Sequence, residues 1–340
     1  MSPIQKILFG SPGTGKSHKV HNEIIDDLGI ENHDNSIIKT VFHPEYKYGD
    51  FMGKLMPFSD GDKVTYTYYA GHFLKALSQA YNNIILADDS ASAENVILVI
   101  DEINRGNSSS IFGTAFQLLD REEDGWSSYE LTLSDMEFIA LLKLLKITTK
   151  PYHVKGNLDK TTFIFNNEEK NTPEDFIDDE ILKDLIKKKE IKLPPNLSIV
   201  ATMNTSDESI YYMDSAFKRR WDWEYVPIKS DIGSIEGDAF ENDDDWQEFV
   251  DFLNTFILSN AKNIRKVEDK QIGYYFLKAP YSYEKIQNKL MFFLWDSVFQ
   301  RDKKPLLSLI YKEDDVDTLY TFDTFTNKVE EFIKAIKDYK

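Results

Sequence analysis

Compact apolar runs alternate with longer amphipathic stretches along this chain, the rhythm of an alternating strand and helix fold. Ile4 to Phe9, Ile37 to Phe42, Val96 to Ile100 and Leu197 to Asn204 read as strands. Val96-Ile97-Leu98-Val99-Ile100 is unbroken and rich in β-branched residues, as a strand covered on both faces requires. Glu224 to Ile228 reads as a last strand, and Val64 to Tyr69 as a short strand or hairpin arm. Helical spacing predicts a helix ending at Leu28 with Gly29 as its terminator, and others over His72 to Tyr81 and Ser108 to Leu119. Ser134 with Glu137 forms a capping-box pattern ahead of the stripe Phe138, Ile139, Leu141, Leu142, Leu144 and Leu145. Thr172-Pro173 starts a further helix through Phe176, Ile177, Ile181, Leu182, Leu185 and Ile186, closed by Lys187, Lys188 and Lys189. After the acidic loop Glu241 to Asp245, amphipathic periods over Trp246 to Leu258, Lys285 to Phe299 and Phe325 to Ile336 make the last third mostly helical.

Chemistry enters directly after the first strand. Gly10-Ser11-Pro12-Gly13-Thr14-Gly15-Lys16-Ser17 fits G-x-x-x-x-G-K-[ST] without a mismatch. Its glycines allow successive N–H groups to point into one concavity and cradle phosphates. Lys16 is then aimed at the β/γ-phosphates and Ser17 at Mg²⁺, with the helix dipole favouring the same anion. Asp101 and Glu102 end the buried strand Val96 to Ile100. In such a site the first acid binds the Mg²⁺ shell and the second polarises the attacking water. Asn204, the polar end of another buried strand, falls near the phosphates. His43 to Gly53, an aromatic loop following the second strand, belongs at the same carboxyl edge, where ligands of parallel sheets bind.

Composition limits the partners. The 340 residues allow about two domains. No apolar run approaches the roughly 18 residues of a membrane span, and the phosphate loop comes too early for a signal peptide, so the expected location is cytoplasmic, with no membrane partner. The chain has no Cys, which excludes disulfides, thiolate nucleophiles and zinc-thiolate sites; the close pair His18 and His21 reads as solvated helix surface. A formal charge of −18 argues against autonomous tight DNA binding, which draws on Lys and Arg neutralising phosphates.

The phosphate loop, the block Asp101-Glu102-Ile103-Asn104-Arg105-Gly106-Asn107, the segment Met203-Asn204-Thr205-Ser206-Asp207-Glu208-Ser209 and Ala216-Phe217-Lys218-Arg219-Arg220-Trp221 together resemble the AAA+ superfamily and, within it, the McrB family of nucleotide-dependent restriction subunits. Tyr48-Gly49-Asp50-Phe51 and Gln271-Ile272-Gly273-Tyr274-Tyr275-Phe276 add to the resemblance. It implies an α/β fold, a five-stranded parallel αβα sandwich of strand order 5-1-4-3-2 over residues 1–235, with an insertion at about 126–191, and a C-terminal helical lid over 236–340. It also implies a sensor role for Asn204, a signature-loop role for Asp207, and an arginine finger for a neighbour's site from Arg219 or Arg220. Glu208 stands where the family commonly has Arg.

The same resemblance implies a homo-oligomeric ring, expected as a hexamer, that hydrolyses GTP, favoured over ATP, with Mg²⁺. The ring would drive or license an McrC-like nuclease, with DNA read by a partner or a separate domain. The base-reading N-K-x-D motif is absent; Asn327-Lys328-Val329-Glu330 comes near it but has no strand before it. Two rivals remain at this stage: a MoxR-like protein-remodelling ATPase, and a nucleotide-gated scaffold with little turnover.

Overall fold

The computed structural model describes residues 2–30, 33–61, 63–87, 92–150, 162–171, 180–204, 211–227, 237–264, 267–311 and 320–339. Seven strands matter here: β1 (Gln5–Gly10), β2 (Ile37–Val41), β3 (Gly53–Asp60), β4 (Lys63–Ala70), β5 (Val96–Asp101), β6 (Leu197–Asn204) and β7 (Asp222–Tyr225). Five of them form one sheet in the order β7-β1-β6-β5-β2, and the β1–β6, β6–β5 and β5–β2 ladders are parallel. Numbered along the chain as core strands, this order is 5-1-4-3-2, as the resemblance implies. Ile7, Leu8 and Phe9 of β1 are wholly buried, as are Ile97, Leu98 and Ile100 of β5 and Leu197, Ile199, Val200 and Ala201 of β6. Such two-sided burial is what their unbroken apolar runs demand.

Helices cover this sheet through their apolar stripes. The helix opening at Lys16 passes through a π-helical stretch, Val20–Ile24, and ends at Asp27, burying Val20, Ile24, Ile25 and Leu28. Gly29 follows in the left-handed region at φ 61°, the expected terminator. The next long helix, His72–Leu86, runs five residues beyond its expected end at Tyr81 and buries Phe73, Leu74, Leu77, Tyr81 and Ile84. Ser108 to Leu119 is an α-helix only as far as Phe112. Gly113, at φ 53°, starts a 3-10 stretch to Leu119.

Residues 126–191 hold the expected capping box, with Ser134 accepting from Glu137 N, at the start of helix Asp135–Leu144. They also hold a three-stranded antiparallel sheet, Thr148–Lys150, Thr162–Phe165 and Glu168–Lys170, that the apolar pattern did not reveal. The start of the second helix of this region, at Thr172-Pro173 with Phe176 and Ile177, lies outside the described residues; Glu180–Lys188 is helical. Contacts divide the chain into two compact units, Met1–Asp222 and Trp223–Lys340. In the second, helices Asp243–Ser259 and Val329–Lys337 bury Trp246, Phe249, Leu253, Phe332 and Ile336 in a core of their own. The last strand runs over Asp222–Tyr225, two residues earlier than its pattern suggested, and Ile228 lies outside the described residues.

Candidate nucleotide site

The carboxyl edge of the sheet gathers the chemistry. Gly10, the last residue of β1, is in register with Asn204, the last of β6. In turn β6 pairs Ala201 with Ile100, which brings Thr202 alongside Asp101 at the end of β5. The Gly10 to Ser17 loop, Asn204 and the acid pair therefore lie at the ends of three adjacent strands.

The loop departs from β1 through residues that need glycine. Gly13 and Gly15 sit at φ 81° and 89°, while a Cβ on either would meet nothing within 4 Å. Backbone conformation, not space, is what requires glycine there. Gly15 caps the helix, and Lys19 N donates to its carbonyl at 2.9 Å. Lys16 folds over the loop, donating through Nζ to Gly10 O at 3.1 Å and Ser11 O at 2.7 Å, and the residue is buried. Thr14 Oγ1 adds a bond to Ser11 O at 3.1 Å. Ser17 is exposed at the first turn of the helix.

Across the sheet edge, one hydroxyl holds both acids. Thr202 Oγ1 donates to Asp101 Oδ1 at 2.9 Å and accepts from Glu102 N at 3.3 Å. Glu102 itself lies at φ 56° and ψ 47°, a left-handed conformation that costs a non-glycine residue on the order of 1 kcal/mol or more and clusters at functional sites. Its Oε1 accepts a hydrogen bond from Asn204 Nδ2. Asn104, almost wholly buried, ties the same region together: its Nδ2 donates to Asn204 O at 2.7 Å and its carbonyl accepts from Tyr211 N at 2.8 Å. Its own Oδ1 is buried without a hydrogen-bond partner among the described residues.

Gly10 to Ser17, Asp101, Glu102 and Asn204 thus come together, and Asp207 lies outside the described residues. The chain is similar to two named proteins. It is 28% identical over 361 aligned residues to the Bacillus subtilis (strain 168) type II restriction enzyme BsuMI component YdiS, with 94% of this chain and 89% of that protein covered. It is 25% identical over 217 residues to the Escherichia coli (strain K12) type IV methyl-directed restriction enzyme EcoKMcrB subunit, covering 63% of this chain and 33% of that protein. The chain is McrB-like. No protein-family model matches it.

The arginine pair of this McrB-like chain is not part of that edge and does not act as one unit. Helix Ser215–Lys218 is capped by Asp214, whose carboxylate accepts from Phe217 N at 2.7 Å and from Ser109 Oγ at 2.8 Å. At its end Arg219 is exposed, with no side-chain partner among the described residues. Arg220 turns inward, its side chain 7% exposed, onto Asp120 at 2.6 Å. The arginines, the acids and the loop were all legible as motif residues, whereas Thr202 and Asp120 carried no motif. The one signal for Thr202 is a hydroxyl inside an apolar strand, two residues before its polar end.

Proposed function

We propose that this chain is a magnesium-dependent nucleoside-triphosphate hydrolase of a restriction system. The observation that carries the reading is the bond from Asn204 to the Glu102 carboxylate, formed where β6 ends in register with the first residue of the phosphate loop. On this reading Lys16 exchanges its loop carbonyls for β/γ-phosphoryl oxygens, and the backbone N–H groups of Gly13 to Ser17 hold the phosphates. Ser17 and Asp101 would hold Mg²⁺: a hydroxyl and one carboxylate, completed by phosphate oxygens, suit a small hard cation. The ion would neutralise charge developing on the phosphoryl oxygens. Glu102 accepts the proton of the attacking water while Asn204 fixes the direction of its carboxylate. Asp207 belongs to the signature loop that follows.

On this reading Arg219 would meet a neighbour's nucleotide, a role supported by the inward pairing of Arg220 with Asp120, which leaves Arg219 as the exposed member of the pair. An arginine acting in trans is worth about 10³ to 10⁵ in rate. That role implies a ring of copies, proposed as a hexamer, with residues 1–235 as the nucleotide-binding core, 126–191 as an insertion and 236–340 as a helical lid. GTP is favoured over ATP on the likeness to McrB alone. The proposed partner is an McrC-like nuclease that the ring drives or licenses, with DNA read by that partner or by a separate domain.

The test is hydrolysis of GTP and of ATP by the purified protein, alone and with the product of an adjacent nuclease gene. Lys16→Ala should abolish nucleotide binding by calorimetry, and Glu102→Gln should bind and assemble normally while hydrolysis stops. Absence of turnover with either nucleotide in the presence of the nuclease sinks the reading.

A further inference from the structure

Residue 220 is held by every polar group it has. Its Nε and Nη2 both donate to Asp120 Oδ2, at 2.9 and 2.6 Å, and Nη1 donates to Ala216 O at 2.8 Å. The guanidinium carbon lies over the Phe116 ring, 4.4 Å from its centroid, a cation-π contact. Its backbone carbonyl accepts from Gln5 Nε2 at 2.5 Å. That same amide nitrogen donates to Leu119 O at 2.7 Å, and Gln5 Oε1 accepts from Arg121 Nε at 3.2 Å. Arg220 is thereby fixed to the first residue of β1, to the 3-10 stretch Gly113–Leu119, to Asp120 and to its own helix.

We infer that the Arg220–Asp120 ion pair is a positioning device for Arg219, and that Asp120 and Arg220 serve the neighbour's site without touching it. The inference rests on the trans-arginine reading above. Consecutive residues at a helix end project about 100° apart, so a side chain locked inward at 220 sends its neighbour at 219 outward. Arg219 N is itself bonded to Ser215 O at 3.1 Å, so the backbone on both sides of its Cα is constrained. A long flexible side chain gains catalytic use only when its root is fixed, since a misplacement of about 1 Å can cost 100-fold in rate. Packing alone does not call for this arrangement. Burying a guanidinium carries a desolvation penalty that an apolar side chain of similar volume would avoid, whereas a fork held on one carboxylate oxygen sets an angle.

The experiment uses the full chain in its assembled, nucleotide-hydrolysing form. Asp120→Asn keeps the shape of the acceptor and loses its charge; Arg220→Lys keeps the charge and loses the fork. Each should lower kcat by about 10- to 100-fold, with nucleotide Kd within about twofold of wild type by calorimetry and an unchanged far-ultraviolet spectrum. Adding Asp120→Asn to Arg219→Ala should lower kcat no further than Arg219→Ala alone. Mixing Asp120→Asn subunits with Lys16→Ala subunits should recover activity, because an intact arginine then faces an intact loop. Wild-type turnover by Asp120→Asn and Arg220→Lys overturns the inference, as do fully multiplicative losses in the double mutant or a parallel loss of nucleotide affinity. Full activity of Arg219→Ala instead overturns the trans-arginine reading, and the inference falls with it.

Discussion

Thr202 shows how much one side chain can organise. Its hydroxyl gives its hydrogen to Asp101 Oδ1 and takes one from Glu102 N, so a single oxygen orients the proposed metal ligand and fixes the backbone of the proposed base. Thr202→Val preserves the branched shape and removes both bonds. Outer-shell partners of metal ligands typically contribute 10- to 100-fold in affinity or activity. The variant should therefore need more Mg²⁺ for half-maximal hydrolysis and lose about that factor in kcat, with an unchanged melting temperature; a wild-type magnesium titration counts against the role. Motif residues such as Lys16, Asp101 and Glu102 were legible because phosphate chemistry dictates their types and spacing. Thr202 and Asp120 were not, because their partners lie about 100 residues away in sequence and only the folded chain brings them together.

At the scale of elements, legibility followed burial. Strands β1, β2, β5 and β6 of the sheet announced themselves as apolar runs, and Ser134 with Glu137 announced a helix start through the backbone bonds it satisfies. The arm β3 did not. Leu55, Met56 and Phe58 on β3, and Val64, Tyr66 and Tyr69 on β4, are all exposed, so neither face of this hairpin has the alternation that burial imposes. Its base is held instead by close backbone approach. Gly71 N donates to Met52 O at 3.0 Å, and a Cβ at Gly71 would stand 2.2 Å from Phe51 O. Gly71→Ala should accordingly destabilise the first unit by about 1 to 3 kcal/mol, read as a lower denaturation midpoint at constant slope; an unchanged midpoint would show that the base yields freely.

Beside it, His72 begins the helix that follows, with Nδ1 2.8 Å from Tyr46 Oη. Burial pulls the imidazole below its ordinary value of 6.5 and pushes the Tyr46 phenol up to about 12. The folded state thus binds the His72 proton less readily than the unfolded chain. The stability that this group contributes is complete above about pH 6.5 and is lost as pH falls through the lowered folded value. Melting temperature should drop more steeply below pH 6.5 in wild type than in His72→Gln, and parallel pH profiles would contradict the assignment.

For the molecule as a whole, charge sets the terms of any meeting with DNA. At −18, the chain repels a polyphosphate at distances where ionic screening is weak. Binding of duplex DNA by the protein alone should be weak at about 150 mM salt, and nanomolar affinity there would place DNA reading within this chain. The two-unit division was only partly readable in advance. The helical composition of the last third was evident, but the change of unit at Trp223 falls inside the strand Asp222–Tyr225, and no composition shift marks it.

Sheet order carries a consequence for how the protein is made. Ile4 N is bonded to Ser198 Oγ, 194 residues later, and β1 lies between β6 and β7, the last two strands of this sheet to be synthesised. At about 5 to 20 residues per second, a ribosome takes roughly 10 to 40 seconds to supply the first of those neighbours. Through that interval Ile7, Leu8 and Phe9 belong to a strand with no hydrogen-bonding partner, and the phosphate loop has no wall on either side. Nascent chains arrested before Leu197 should therefore be retained by a chaperone trap and fail to bind a fluorescent nucleotide, while chains extended past β7 and clear of the exit tunnel should bind it.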